Sequence, residues 1–448
     1  MNATRIAAAL SLALLGPVSV SAQPQVSLER LIGTGDPLPN GYTFLSTSFA
    51  VFDLDGTHIC FPVSTANQGD AICRMNLATR EITVVADMST INPTVGLPFT
   101  GYLNPSIANG DVYFPGRTGG NHPTGIYAGE GGPARAVADI LDAGVLIPRA
   151  VETDGDWLVF RDTGYAGEAL AYVPAAGGAQ PRYFAYRDRP APGGGQLFNI
   201  EEVFGVSGDR IVFSALRSAG ASGYGIYQWS PEGPDTLTTL VETGDAVPDG
   251  HVLSLVRDPT PSGQRTAFVG TDAGFPYFDG VYIHNPDGSL ETVVDDNTPF
   301  PGRNVTFDSF NSLAIDGSNV MFSGLYGEAT YFGAFVRYNG DLLKIVEGGE
   351  IVNGGVVMSI SHRWRALHGN KAVVALTMEG FSSFGLYLAT ITGACPADFN
   401  ADGQVNTLDV LAFLNAWSAG EPAADFNADG QINTLDVLAF LNAWSAGC

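Results

Sequence analysis

Seven times, at intervals of about 50 residues, a tight polar turn leads into a short apolar strand, and a period of that length constrains the fold before any single residue does. The copies begin Asp55-Gly56-Thr57-His58-Ile59-Cys60-Phe61, Asn109-Gly110-Asp111-Val112-Tyr113-Phe114 and Asp154-Gly155-Asp156-Trp157-Leu158-Val159-Phe160. They continue at Ser207-Gly208, Ser262-Gly263, Asp316-Gly317 and His368-Gly369. A second short run follows each, as in Gly125-Ile126-Tyr127, Gly225-Ile226-Tyr227 and Gly280-Val281-Tyr282. An apolar pair closed by a Gly/Asp turn then marks the unit's end, as in Leu31-Ile32-Gly33-Thr34-Gly35-Asp36 and Leu240-Val241-Glu242-Thr243-Gly244-Asp245. Short β-branched and aromatic runs punctuated by Gly, Pro, Asn and Asp read as strands.

Seven such units with about four strands each predict an all-β chain, a seven-bladed β-propeller over residues 23–392. Radial closure of the blades protects the sheet edges. A pair of β-sandwiches and a β-solenoid are the competing architectures. The last unit stops at Ile391 without its closing strand, and Val26 to Ile32 is a spare one. This N-terminal strand is expected to complete the last blade. The Asp-Gly strand resembles the corresponding strand of TolB-like propellers; the marks of WD40, kelch and sialidase blades are absent.

The tail, residues 393–448, obeys a different rule. Asp398-Phe399-Asn400-Ala401-Asp402-Gly403-Gln404-Val405-Asn406-Thr407-Leu408-Asp409 returns 27 residues later as Asp425-Phe426-Asn427-Ala428-Asp429-Gly430-Gln431-Ile432-Asn433-Thr434-Leu435-Asp436. A 12-residue calcium loop draws its oxygens from positions 1, 3, 5, 7, 9 and 12 and turns sharply at a glycine at position 6. The first loop's ligands are therefore Asp398, Asn400, Asp402, Gln404 (through its carbonyl), Asn406 and Asp409. Those of the second are Asp425, Asn427, Asp429, Gln431, Asn433 and Asp436. Two Ca2+ ions are expected, with Val405 and Ile432 pairing the loops. Val410, Phe413, Leu414 and Trp417, repeated as Val437, Phe440, Leu441 and Trp444, give each following helix one apolar stripe. Gly420 and Gly447 stand where helix C-caps belong.

This duplicated loop–helix unit, with Asp at position 12, resembles the type I dockerin repeat, and its Cys395 and Gly447-Cys448 flanks resemble the dockerin-like anchors of secreted planctomycete proteins. The resemblance implies calcium-dependent docking to a cohesin-like or cell-surface receptor protein. It places the docking surface around Thr407, Leu408, Thr434 and Leu435. The basic residues usual further along the dockerin helix are missing, as the tail has no Lys or Arg.

Residues 1–22 read as a secretory signal: Arg5, then the apolar run from Ile6 to Leu15, then Val20-Ser21-Ala22 as a cleavage site. No transmembrane helix is expected, because no apolar run reaches the roughly 18 residues needed. Four cysteines in an exported chain suggest two disulfides. Of three possible pairings, Cys60–Cys73 across a hairpin and Cys395–Cys448 around the tail fit the domain layout best. A net charge of −25 disfavours nucleic acid and anionic membrane as partners.

No catalytic constellation emerges. The six histidines are scattered, no Gly-x-Ser-x-Gly elbow exists, and Gly193-Gly194-Gly195 has no lysine partner. Asp87, Asp139, Glu242, Asp295 and Glu347 recur at one phase of the repeat. They either line a central channel, where they could hold a cation or act as glycosidase carboxylates, or they serve as turn punctuation, the favoured reading. The expectation is a non-enzymatic binding or scaffold propeller, exported and assembled through its tail. The alternative is an extracellular polysaccharide hydrolase or lyase carried by a dockerin. The propeller's ligand is not legible.

Overall fold

A computed structural model describes residues 24–46, 51–65, 69–120, 125–139, 147–164, 168–218, 223–272, 279–327, 331–379, 383–392, 397–400, 405–427 and 430–446. The signal segment 1–22, Cys395, Asp402, Gln404, Asp429, Gly447 and Cys448 lie outside these residues.

The strands form seven antiparallel sheets. Within the first six the chain runs outward strand by strand; blade 4, for example, orders Gln196–Ser207, Arg210–Ser218, Gly223–Trp229 and Thr238–Glu242. The first strand of one blade packs beside the first strand of the next, so these strands ring the axis. The seven Asp-Gly-type phrases all become the turn into the second strand. Glycine is needed there: Gly56, Gly110 and Gly317 have φ of 89°, 82° and 62°, which a side chain tolerates poorly. Second-strand phenylalanines (Phe61, Phe114, Phe160, Phe213, Phe268 and Phe322) are fully buried between sheets. Each contributes roughly 1.5–3 kcal/mol relative to exposure.

The turns also stitch neighbouring blades. Asp55 Oδ2 accepts from the Gly110 amide at 2.8 Å, and Ser207 Oγ accepts from Gly263 at 2.9 Å. Ser262 Oγ accepts from Gly317 at 2.9 Å and Asp316 Oδ2 from Gly369 at 2.6 Å. One position, Asp or Ser, thus opens the turn, and its side chain fastens the turn of the next blade.

The ring closes as the spare N-terminal strand predicts. Gln25–Gly33 pairs antiparallel with Phe384–Thr392, from Gln25 opposite Thr392 to Gly33 opposite Gly385, and becomes the outermost strand of blade 7. Asp36 Oδ2 accepts from the Gly33 amide at 2.8 Å, turning the chain toward blade 1.

One sequence reading is corrected, and the choice left open for the boundary carboxylates falls to the favoured turn reading at Asp87 and Asp295. Cys60 and Cys73 do lie on one hairpin, but Cys60 is opposite Arg74 and Cys73 opposite Phe61. Being one residue out of register, they face opposite sides of the sheet. Cys73 packs with Phe61 in one core, Cys60 with Ile72 and Phe114 in the next, and both are free thiols. Nor do Asp87, Asp139, Glu242, Asp295 and Glu347 line the channel. They terminate the outermost strands, the ones farthest from the axis. Asp87 Oδ1 takes the Ser89 and Thr90 amides at 2.9 and 3.1 Å, while Asp295 Oδ1 takes the Asn297 amide at 3.1 Å and the Thr298 hydroxyl at 2.6 Å. These two are turn caps.

Candidate functional site: two calcium loops and a blocked channel

In the tail, Asn406 caps helix α1 (Thr407–Ala419): its side chain accepts from the Leu408 amide at 2.8 Å, and Gly420 ends the helix in the left-handed region. Asp409, buried at the helix start, closes the first loop. Its Oδ1 accepts from the Asn400 amide at 3.2 Å and its Oδ2 from the Asn406 amide at 2.7 Å. The second loop repeats this before helix α2 (Thr434–Ala446): Asp436 takes the Asn427 amide at 3.2 Å and the Asn433 amide at 2.7 Å. These backbone donors hold the Asp436 carboxyl below the ordinary carboxylate range. Asp425 Oδ2 accepts from the Gly430 amide at 2.9 Å, tying position 1 to the sharp turn. Backbone amides thus hold the side-chain oxygens of Asn406, Asp409, Asp425, Asn433 and Asp436, and oxygen donors of this kind suit a hard cation such as Ca2+.

The two units embrace about an approximate two-fold relation. The Phe413 and Phe440 rings stack at 4.2 Å and 6°, with Phe399 and Phe426 edge-on to them. Trp417 donates its indole N–H to the carbonyl of Asn433 at 2.9 Å, and Trp444 donates to that of Asn406 at the same distance. Each helix therefore grips the opposite loop. Ile432 packs on this core, and Val405 is half-buried. The expected stripe needs one adjustment. Leu414 and Leu441 stay on the rim, about two-fifths exposed, and Ala416 takes the buried place beside Phe413. Thr407, Leu408, Thr434 and Leu435 are all exposed, as are Leu411 and Leu438; the four leucines are 56–60 % accessible.

A second site was invisible in the sequence. The innermost strand of blade 7 is broken between Gly355–Ser361 and Leu367–His368, and the gap sends Trp364 and Arg365 among residues of other blades. Trp364 Nε1 donates to Glu152 Oε1 on blade 3, and Arg365 Nε lies 3.4 Å from Asp53 Oδ1 on blade 1. Ser106 Oγ donates to Asp53 Oδ2 at 2.6 Å, and the Thr153 amide donates to Ser106 at 3.3 Å. Asp53 and Glu152 are both 4 % exposed. Burial raises both carboxyls, Glu152 well above its ordinary value, and the neighbouring Asp53 charge pushes Glu152 further. On one side of this partition lies a cavity of about 210 Å3, walled by residues of six blades that include Asp154, Ser207, Ser262, Asp316 and His368.

Residues 396–443 match the family model of the dockerin type I domain. No curated protein matches the chain. Among solved structures, TolB from Agrobacterium tumefaciens is similar at 14 % identity over 61 % of this chain and 87 % of that one, with a TM-score of 0.37. The β-propeller domain of the trilobed protease from Pyrococcus furiosus is 12 % identical over 76 % and 95 %, at 0.46. The polysaccharide lyase Uly1 is 11 % identical over 80 % and 93 %, at 0.42. No helix among the described residues is long and apolar enough to cross a membrane. The chain thus carries, at residues 396–443, a dockerin type I domain behind a seven-bladed β-propeller.

Proposed function

We propose that this protein is an exported, non-enzymatic binding or scaffold propeller, held in an extracellular or cell-surface assembly by its calcium-dependent tail. Residues 1–22 act as the export signal. Asp398, Asn400, Asp402, Gln404, Asn406 and Asp409 hold one Ca2+, and Asp425, Asn427, Asp429, Gln431, Asn433 and Asp436 hold the second. Bound calcium offsets most of the negative charge of each loop and fixes the entry angle of each helix. The observation carrying this reading is what the paired units leave over. Once the phenylalanine core is filled, Leu408, Leu411, Leu435 and Leu438 remain exposed beside Thr407 and Thr434. A cohesin-like module or surface receptor with an apolar face is the partner that fits this surface.

The alternative, a polysaccharide hydrolase or lyase, draws on one feature: a buried carboxyl raised above its ordinary range beside a cavity. Binding is the better reading because the other carboxylates at that cavity are already engaged. Asp154 accepts from the Trp157 amide and Asp316 from the Gly369 amide.

Calcium titration of the full chain tests the proposal, followed by capture on an immobilised type I cohesin module with and without chelator. Two ions bound and calcium-dependent capture are expected. Failure to bind calcium would remove the tail's role.

A further inference from the structure

Six described hairpins, residues 33–44, 87–102, 186–197, 242–253, 295–307 and 347–357, carry the chain from the outermost strand of one blade to the innermost strand of the next. Each is pinched by a bridge, such as Ile91–Pro98, Ala246–Val252 or Ile351–Val356. Strand directions alternate within a blade, so all six project from the same face. Outside the tail, ten large apolar side chains are exposed among the described residues, and all ten sit at that face. Nine lie on the hairpins or in the first few residues of the strand that follows, and Tyr331 opens a third strand on the same side. Apolar residues scattered singly need no explanation, but confinement to one face marks a place of contact.

The hairpin at 87–102 concentrates three of them. Ile91, Val95 and Leu97 are 50, 40 and 59 % accessible, and no charged residue stands between Asp87 and Asp111. This tip is fixed from below. Fully buried Asn92 donates to Tyr127 Oη at 2.7 Å and to Thr118 Oγ1 at 3.0 Å, and its Oδ1 accepts from the Thr94 amide at 2.9 Å. A tip ordered before contact loses little entropy on docking. Around it the charge is acidic: the six hairpins hold ten Asp or Glu against three Arg. Asp188, Asp245 and Asp249 are exposed, whereas Arg189 is buried and paired with Asp235, and Arg303 is paired with Glu347.

We propose that this face docks a cationic polypeptide bearing apolar side chains of its own, with the Ile91–Leu97 tip as the anchor. The acidic surround disfavours a second copy, which would bring like charge to like, and an anionic lipid surface. The chain leaves blade 7 for the tail at Thr392, beside Gln25, at the strand end away from the hairpins, so the tail is joined at the opposite face. This inference rests on reading the propeller as a binder and not on what the tail docks to.

The test uses the full chain and three synthetic amphipathic peptides, one of Lys and Leu, one of Glu and Leu, and one of Lys and Ser, followed by fluorescence anisotropy. The Lys/Leu peptide should bind at one per chain, and the other two about tenfold more weakly or less. Ile91→Ser combined with Leu97→Ser should weaken binding about tenfold. Asp245→Asn combined with Asp249→Asn, which keeps an oxygen for each turn bond, should weaken it about threefold and flatten its salt dependence. Glu232→Lys, on an exposed turn of the opposite face, should leave it unchanged. All five positions are exposed, so urea midpoints should match the parent protein. No binding of the Lys/Leu peptide overturns the proposal, as does equal binding of the Glu/Leu peptide. Unchanged affinity in the Ile91/Leu97 variant also overturns it, placing the contact elsewhere, the tail included. A concentration-dependent dimer, or flotation with phosphatidylcholine vesicles, that is lost in that variant would overturn it in favour of a second copy or a lipid surface. Loss of calcium-dependent cohesin capture with peptide binding intact would fault the reading of the tail and leave this proposal standing.

Discussion

The indole N–H of Trp417 lies 2.9 Å from the carbonyl oxygen of Asn433, in the calcium loop of the other repeat. Asn433 occupies position 9 of that loop, and Asp436 three residues on accepts its amide. The helix of one unit therefore helps set the ligand geometry of its neighbour, and the Trp444–Asn406 bond returns the arrangement. Trp417→Phe keeps the ring packing and removes one hydrogen bond, a net loss of about 1 kcal/mol. Calcium affinity at the second loop should fall about fivefold and the coupling between sites should weaken. Two-site calorimetry of the full chain checks this. An unchanged titration would mean that the loops are set independently.

The Cys60 and Cys73 thiols should stay inert in the folded protein. Burial raises both, Cys73 up to about 12, so almost no thiolate exists at pH 8. The unfolded-state thiol titrates near 8.5. Below that value both states are protonated and stability is unaffected. As pH rises from there toward 12, the unfolded chain loses its protons first and the fold loses stability. Iodoacetamide at pH 8 should label neither cysteine natively and both in denaturant, read by peptide mass spectrometry. Isolation of a Cys60–Cys73 disulfide from native protein would contradict the strand register.

Much of this molecule can be read from local chemistry. The blade count follows from seven turn phrases, because a turn that needs positive φ, as at Gly110, leaves a glycine in the sequence. The dockerin tail was legible because the same spacing of oxygen-bearing side chains is written twice, 27 residues apart. What failed depended on rank and parity. The residues Val151-Glu152-Thr153 look like any alternating strand, and nothing local says that the strand is innermost. Trp364 and Arg365 occupy a strand break with no motif. The carboxylates at the repeat boundaries were visible as a periodic set and favoured as turn punctuation, as Asp87 and Asp295 are, although periodicity alone does not say how far from the axis a set lies. With the cysteines, reading a hairpin correctly while missing its register by one residue was enough to reverse the conclusion.

The N-terminal strand closes the ring through eight antiparallel residue pairs with Phe384–Thr392. Ile32 is 1 % exposed, in the core shared by the strands that close the ring, while Leu45 nearby is 37 % exposed. Ile32→Ala should cost about 2–5 kcal/mol through lost burial and the cavity left behind. Leu45→Ala should fall within about 0.5 kcal/mol of the parent protein. Denaturant unfolding of both variants provides the measurement. Equal stability would show that closure contributes little to the propeller.

His362 should give the propeller an acid limb. It is 4 % exposed, and burial lowers its imidazole to about 4. In the unfolded chain the same group titrates near 6.5. Above about pH 6.5 both states are neutral and the histidine contributes no pH dependence. As pH falls from 6.5 toward 4 the unfolded chain takes up a proton that the native state refuses, so stability drops. The loss approaches about 3 kcal/mol once both states are protonated. His362→Leu removes the titrating group while keeping an apolar side chain in the same place. Its stability should therefore vary less than the parent protein's between pH 6.5 and 4, with the two curves running parallel above pH 7. Urea midpoints taken at half-unit steps would reveal the difference. A parallel course through the acid range would mean that His362 finds a protonated state the fold can hold, and that the acid limb belongs instead to carboxylates whose hydrogen bonds hold them below their ordinary range, such as Asp55 and Asp87.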